Sequence, residues 1–129
     1  MITNKLLKSN SNSIKSICES LQYDDILSLR ISYNSFNDRE KITKFEIIAN
    51  AEIPNDYKNY IFSHWDIADI TFDVIHNLYP DWSSHNGAGT ILITSTGNLI
   101  IEHSDKKHGS LVGDTFTFDI ETIESSMRF

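Results

Sequence analysis

Strict alternation is the feature that most constrains this chain. From Ile26 to Tyr33, the residues Leu27, Leu29, Ile31 and Tyr33 alternate with Ser28, Arg30 and Ser32, the period of two that a half-buried strand requires. Thr115-Phe116-Thr117-Phe118-Asp119-Ile120 repeats the pattern. Two further apolar runs, Thr90 to Thr94 and Leu99 to His103, are separated by Ser95-Thr96-Gly97-Asn98, a hairpin turn signal. Asn34-Ser35-Phe36-Asn37-Asp38 divides the first strand from a second over 42–51. Asp105 to Gly113 reads as a polar loop before the last strand over 115–120. Strands joined by turns this short pair antiparallel, because a parallel pair needs a crossover of about a dozen residues or more.

Two regions carry the other period. Ile14, Ile17, Cys18 and Leu21 share one helical face, which predicts a helix over 11–23. The serines and asparagines of Ser9 to Ser13 would cap its first turn. Pro54 would open a helical stretch over 55–79, in two pieces broken near Ser63-His64-Trp65, and Pro80 would stop it. Ile67, Ile70, Val74 and Leu78 give that stretch an apolar stripe. The expected fold is therefore α+β: an antiparallel sheet of about five strands with helices packed on one face, in a single domain over 1–129. At 40% hydrophobic over 129 residues, such a chain can bury a core without a disulfide or a metal. The lone Cys18 excludes an internal disulfide and sits on the apolar helix face, where packing, not reactivity, is expected. No apolar run approaches the roughly 18 residues of a membrane span. The N-terminus lacks a signal-peptide core, so a cytoplasmic protein is expected.

Sites of chemistry are sparse. The histidines are His64, His76, His85, His103 and His108. His103 and His108 have a spacing that some zinc sites use, with Glu102 and Asp105 as possible oxygen ligands, yet no second cysteine and no helical histidine pair accompanies them. The expectation is no metal and no cofactor. Asp73 and His76 lie one turn apart and could pair. Gly87-Ala88-Gly89 lacks the lysine of a phosphate loop and leads into a strand, so it reads as backbone freedom at a turn or bulge. No hydrolase serine motif occurs, and carboxylate pairs arise by chance among 18 acidic residues. No catalytic residue is expected, and the chain reads as a non-enzyme.

Charge is more informative. The net charge is −7, but residues 1–44 carry +2, residues 45–105 carry −8 and residues 106–129 carry −1. A field of that sign repels nucleic acid and anionic lipid and attracts basic partners. Asp66, Asp69 and Asp73 form an acidic line beside the apolar stripe, bracketed by Trp65 and Trp82. Either tryptophan would serve as a core anchor, but tryptophan is also enriched in binding hot spots, which makes one of them a candidate contact aromatic. These five residues make the expected partner-binding face.

The segment Pro80 to His103 carries a resemblance. Its Pro80-Asp81-Trp82, the glycines Gly87 and Gly89, and the closing Glu102-His103 resemble an uncharacterised bacterial family of small α+β proteins. The resemblance covers about a fifth of the chain and implies an architecture but no activity. In size, acidity and lack of catalytic motifs the chain is also similar, as a class, to bacterial toxin-immunity proteins, including those of contact-dependent growth inhibition. The expected function is an inhibitor that neutralises a basic protein such as a nuclease toxin. The alternatives are a phage-type anti-defence inhibitor and a small enzyme or ligand-binding domain whose site no motif reveals.

Overall fold

The computed structural model describes residues 6–120; the expectations for Met1–Lys5 and for the chain after Ile120 lie outside them. The element order is α1 (Lys8–Tyr23), β1 (Ile26–Phe36), β2 (Arg39–Ala49), α2 (Asn55–His64), α3 (Ile67–Leu78), a 3-10 turn (Ser83–His85), β3 (Ala88–Thr94), β4 (Asn98–Asp105) and β5 (Gly109–Thr117). The five strands form one antiparallel sheet in the order β2-β1-β3-β4-β5. The fold is α+β. Leu29, Ile31, Ile91, Ile93, Leu99 and Ile101 face the helices and join Ile14, Ile17, Leu21, Ile61, Ile67, Val74 and Leu78 in one buried cluster. Each such side chain contributes roughly 1.5–3 kcal/mol by leaving water. Cys18 is fully buried in the same cluster, and burial pushes its thiol up to about 11. Among the described residues no helix is long and apolar enough to cross a membrane.

Several boundaries differ from the sequence expectation, each for a local reason. α1 begins at Lys8, with no side-chain cap at its N-terminus, so the Ser9–Ser13 run is inside the helix. Its start is fixed from afar: the Leu7 N–H donates to Asn77 Oδ1 at 2.8 Å, and Asn10 Nδ2 donates to the same oxygen at 3.2 Å. The first hairpin turns on Asn37 and Asp38 alone, at φ 51° and 64°. That is the doubly left-handed geometry of a tight two-residue turn, and both strands are longer than the turn-former count suggests. Leu27 leaves the expected core face. A register irregularity between Ile26 and Ser28 puts Leu27 in solvent and buries Ile26 and Ser28 instead. The 105–113 loop is a short turn: β5 starts at Gly109 and ends at Thr117.

α2 and α3 break where expected, with Asp66 in the left-handed region at φ 49°. Asp81, also left-handed at φ 66°, turns the chain back so that Trp82 drops into the core.

Candidate functional site

The residues expected to face a partner do not all do so. Asp66, Asp69 and Asp73 are exposed. Asp66 precedes α3 rather than riding on it, so the helix body carries Asp69 and Asp73, about 40° apart by helical geometry. Trp65 is half-buried and lines a groove of about 270 Å³ with Ser13, Ser16, Ile17 and Ser20 of α1 and Ile70 of α3. The small serines leave the indole accessible between the two helices. Trp82 is a correction: it is 0% exposed and cannot touch a partner. It packs edge-on against Tyr33 and His103 and stacks with Phe72. Asp73 does not pair with His76, whose Nε2 instead meets the Glu40 carboxylate.

The −8 segment also divides in space. Asp105 is buried among its own partners, and Asp81 is met by Lys107 Nζ at 2.9 Å. The rest of the acid includes the exposed Asp56, Asp66, Asp69 and Asp73 of the helical layer. On α2 a second feature escaped the sequence reading. Tyr57, Tyr60 and His64 stack in series, with centroids 6.1 Å and 4.9 Å apart, and the Tyr57 hydroxyl donates to Asp24 at 3.0 Å. Their i, i+3, i+7 spacing is visible in the sequence. Spacing alone does not distinguish an exposed aromatic row from a core stripe, because large apolar side chains normally turn inward.

A different cluster lies at the core's edge. The sheet register places Tyr33 opposite Gly89, Gly89 opposite His103, and His103 opposite Val112. Tyr33 and His103 therefore stand two strands apart, about 9.6 Å at the usual spacing, on the same face. Gly89 between them has no side chain, and the Tyr33 hydroxyl reaches His103 Nδ1 at 2.6 Å. A Cβ on Gly89 would lie 2.5 Å from that hydroxyl and 2.2 Å from the Glu102 carbonyl oxygen. Gly87 is constrained likewise, its Cβ falling 2.6 Å from the Trp82 ring. Neither glycine has a positive φ, so close approach, not backbone freedom, requires both.

His103 Nε2 lies 2.6 Å from Asp105 Oδ2, and His108 Nδ1 lies 2.8 Å from the same oxygen. Asp105 Oδ1 accepts the backbone N–H of Lys107 at 2.8 Å and that of His108 at 2.5 Å. One carboxylate thus closes the β4–β5 turn and gathers both imidazoles. Burial alone would raise the Asp105 carboxyl, but the N–H donors of His108, His103 and Lys107 outweigh it and hold it down at about 2. Burial also holds His103 below its ordinary value, against the pull of Asp105. Neutral His103 then donates from Nε2 to the carboxylate and accepts at Nδ1 from Tyr33. Tyr79 stacks on His103 at 4.1 Å and donates its hydroxyl to Asp114 on β5. Burial raises both tyrosines well above the ordinary phenol, with the hydrogen bond to Asp114 adding to the effect at Tyr79 and neighbouring negative charge at both. Glu102, weighed in the sequence as a ligand beside His103, is exposed on the opposite face. The roles of Tyr33 and Tyr79 had no sequence signal, since register and helix packing alone bring them to His103.

No protein-family profile, no curated protein and no solved structure matches the chain.

Proposed function

We propose that this protein is a binding module of the inhibitor or immunity type, which docks a basic protein partner, such as a nuclease toxin domain, on its helical layer. The observation that carries the reading is Trp65, half-buried in the α1–α3 groove, with the exposed Asp66 next to it in the chain and the exposed Asp69 and Asp73 on α3. An aromatic anchor held between two packed helices loses little entropy on contact, and an adjoining line of carboxylates steers a cationic surface. The α2 ladder of Tyr57, Tyr60 and His64 adds aromatic surface to the same layer, and aromatic faces also receive arginine. A phage-type inhibitor of a host nuclease would use the same face, and only the partner would differ.

The test compares the wild type with Asp66→Asn/Asp69→Asn/Asp73→Asn and with Trp65→Ala. Each serves as bait against extract of the source cells, followed by kinetics with the purified partner. The triple variant should associate more slowly and with a weaker dependence on salt. Trp65→Ala should dissociate faster, by roughly 30-fold for a loss of about 2 kcal/mol. The fold should persist. Removing Asp69 from the first turn of α3 costs a few tenths of a kcal/mol of helix-dipole interaction, and relief of the Asp69–Asp73 repulsion returns a similar amount. A partner that binds both variants at the wild-type rate over a range of salt docks elsewhere.

A further inference from the structure

We infer that His103 Nε2, Asp105 Oδ2 and His108 Nδ1 form a binding site for one divalent first-row transition ion, with zinc the fitting example. One ligand atom from each of the three residues lies within 4.8 Å of the other two. A tetrahedral zinc set, with ligands about 2.0–2.1 Å from the ion, spaces its donors roughly 3.3 Å apart. The two contacts to Asp105 Oδ2, at 2.6 and 2.8 Å, need to open by about 0.5–0.7 Å to reach that spacing. Two imidazoles and one carboxylate oxygen suit zinc or its neighbours, whereas calcium and magnesium require sets dominated by oxygen.

The surroundings are those of a supported ligand set. The other carboxylate oxygen, Oδ1, is held by the Lys107 and His108 backbone N–H groups, which leaves Oδ2 aimed at the imidazoles. The Tyr33 hydroxyl stands at His103 Nδ1, the outer partner that orients a metal-bound imidazole. Stacking on Tyr79 fixes the same ring. His103 and Asp105 side chains are 0% exposed, but that of His108 is 22% exposed, so an ion and a completing water enter from the His108 side.

Proton accounting requires no co-reactant. In the hydrogen-bonded form His103 carries its proton on Nε2 and His108 on Nδ1, both toward Asp105. On metal binding the His103 proton moves to Nδ1 and is donated to the Tyr33 oxygen, so the Tyr33 O–H no longer donates to that nitrogen and turns away from the ring, and the His108 proton moves to Nε2. Both rings stay neutral, and each frees the nitrogen that faces the ion. The spacing of His103 and His108 was visible in the sequence. The turn that brings them onto one carboxylate was not.

The experiment titrates the chelator-stripped full chain with zinc chloride near neutral pH by calorimetry, and with cobalt(II) by visible absorption. One ion per chain should bind, and cobalt should give the intense bands of a tetrahedral site. His108→Ala should weaken zinc binding by about a hundredfold or more, since even outer-shell changes cost 10–100-fold. His85→Ala, a histidine outside the cluster, should leave it unchanged. A readout without variants follows the ring nitrogens by NMR in the wild type: His103 and His108 should shift on zinc addition, and His64, His76 and His85 should not. Absence of stoichiometric binding, shifts at the other histidines, or wild-type affinity in a folded His108→Ala would each overturn the site and leave a hydrogen-bonded turn.

Discussion

Tyr33→Phe isolates the bond that crosses β3. The substitution keeps the ring, so its edge contact with Trp82, at a centroid distance of 5.3 Å, and its place on the sheet are retained. Only the hydroxyl is lost, and with it the donor 2.6 Å from His103 Nδ1. His103 is 1% exposed, so water cannot replace the donor without opening the core. A buried acceptor left without a partner costs about 1–3 kcal/mol. The neutral tautomer cannot escape by turning over, because Nε2–H is already given to Asp105. Taking about 2 kcal/mol and a urea slope of about 1–3 kcal/mol per molar, the midpoint should fall by roughly 1 M. The assay is equilibrium urea unfolding in the presence of a chelator, followed by both fluorescence and circular dichroism, with the slope checked for constancy. A loss below about 0.5 kcal/mol at unchanged slope would refute the reasoning, because it would mean that the Tyr33–His103 bond is not made or is freely replaced.

Two further outcomes follow from the same cluster. Gly89→Ala should destabilise by more than Tyr33→Phe, by about 3 kcal/mol, because its Cβ would collide with the Glu102 backbone oxygen as well as with the Tyr33 hydroxyl. Combining it with Tyr33→Phe should relieve part of that loss, and additive losses in denaturant unfolding would show that the hydroxyl is not in the way. In chelator, stability should fall in two stages as pH is lowered. His103 is held below its ordinary 6.5 by burial, so the unfolded chain takes up the proton first and stability declines as pH falls below about 6.5. Asp105 is depressed from 3.8 to about 2, so its contribution, on the order of 2 kcal/mol, is complete above about pH 4 and is lost on descent to about pH 2. Replacing Asp105 by Asn should remove the second stage, and a two-stage profile unchanged in that variant would contradict the assignment.

The elements were largely legible in the sequence because each carries its own period. Alternation marked β1, apolar runs either side of a turn signal marked β3 and β4, and the Ile14–Leu21 and Ile67–Leu78 stripes marked α1 and α3. Their buried residues are those stripes with small revisions, such as Thr71 and Ile75 buried beside a half-buried Ile70. Short turns then required antiparallel pairing, and a sheet with one apolar face required helices over it. Residue identity also determined the acidic balance and the single, buried cysteine.

Other features depend on pairs far apart in the chain, and only the tertiary structure decides them. The start of α1 is set by Asn77, about seventy residues away. Nothing local to Trp82 decides between a core anchor and a contact aromatic, and it is the left-handed Asp81 that turns it inward. Much of the negative charge of 45–105 is assigned by fold: Asp105 is spent inside on two histidines, while Asp66, Asp69 and Asp73 remain outside. The His103 cluster needs the β1-β3-β4 order, a register that sets Gly89 between Tyr33 and His103, and a turn that folds His108 back onto Asp105. Local periodicity specifies which way a side chain faces. It does not specify which strand lies alongside or at what offset, because that choice is made by the packing of the whole core, and the cluster exists only once it is made.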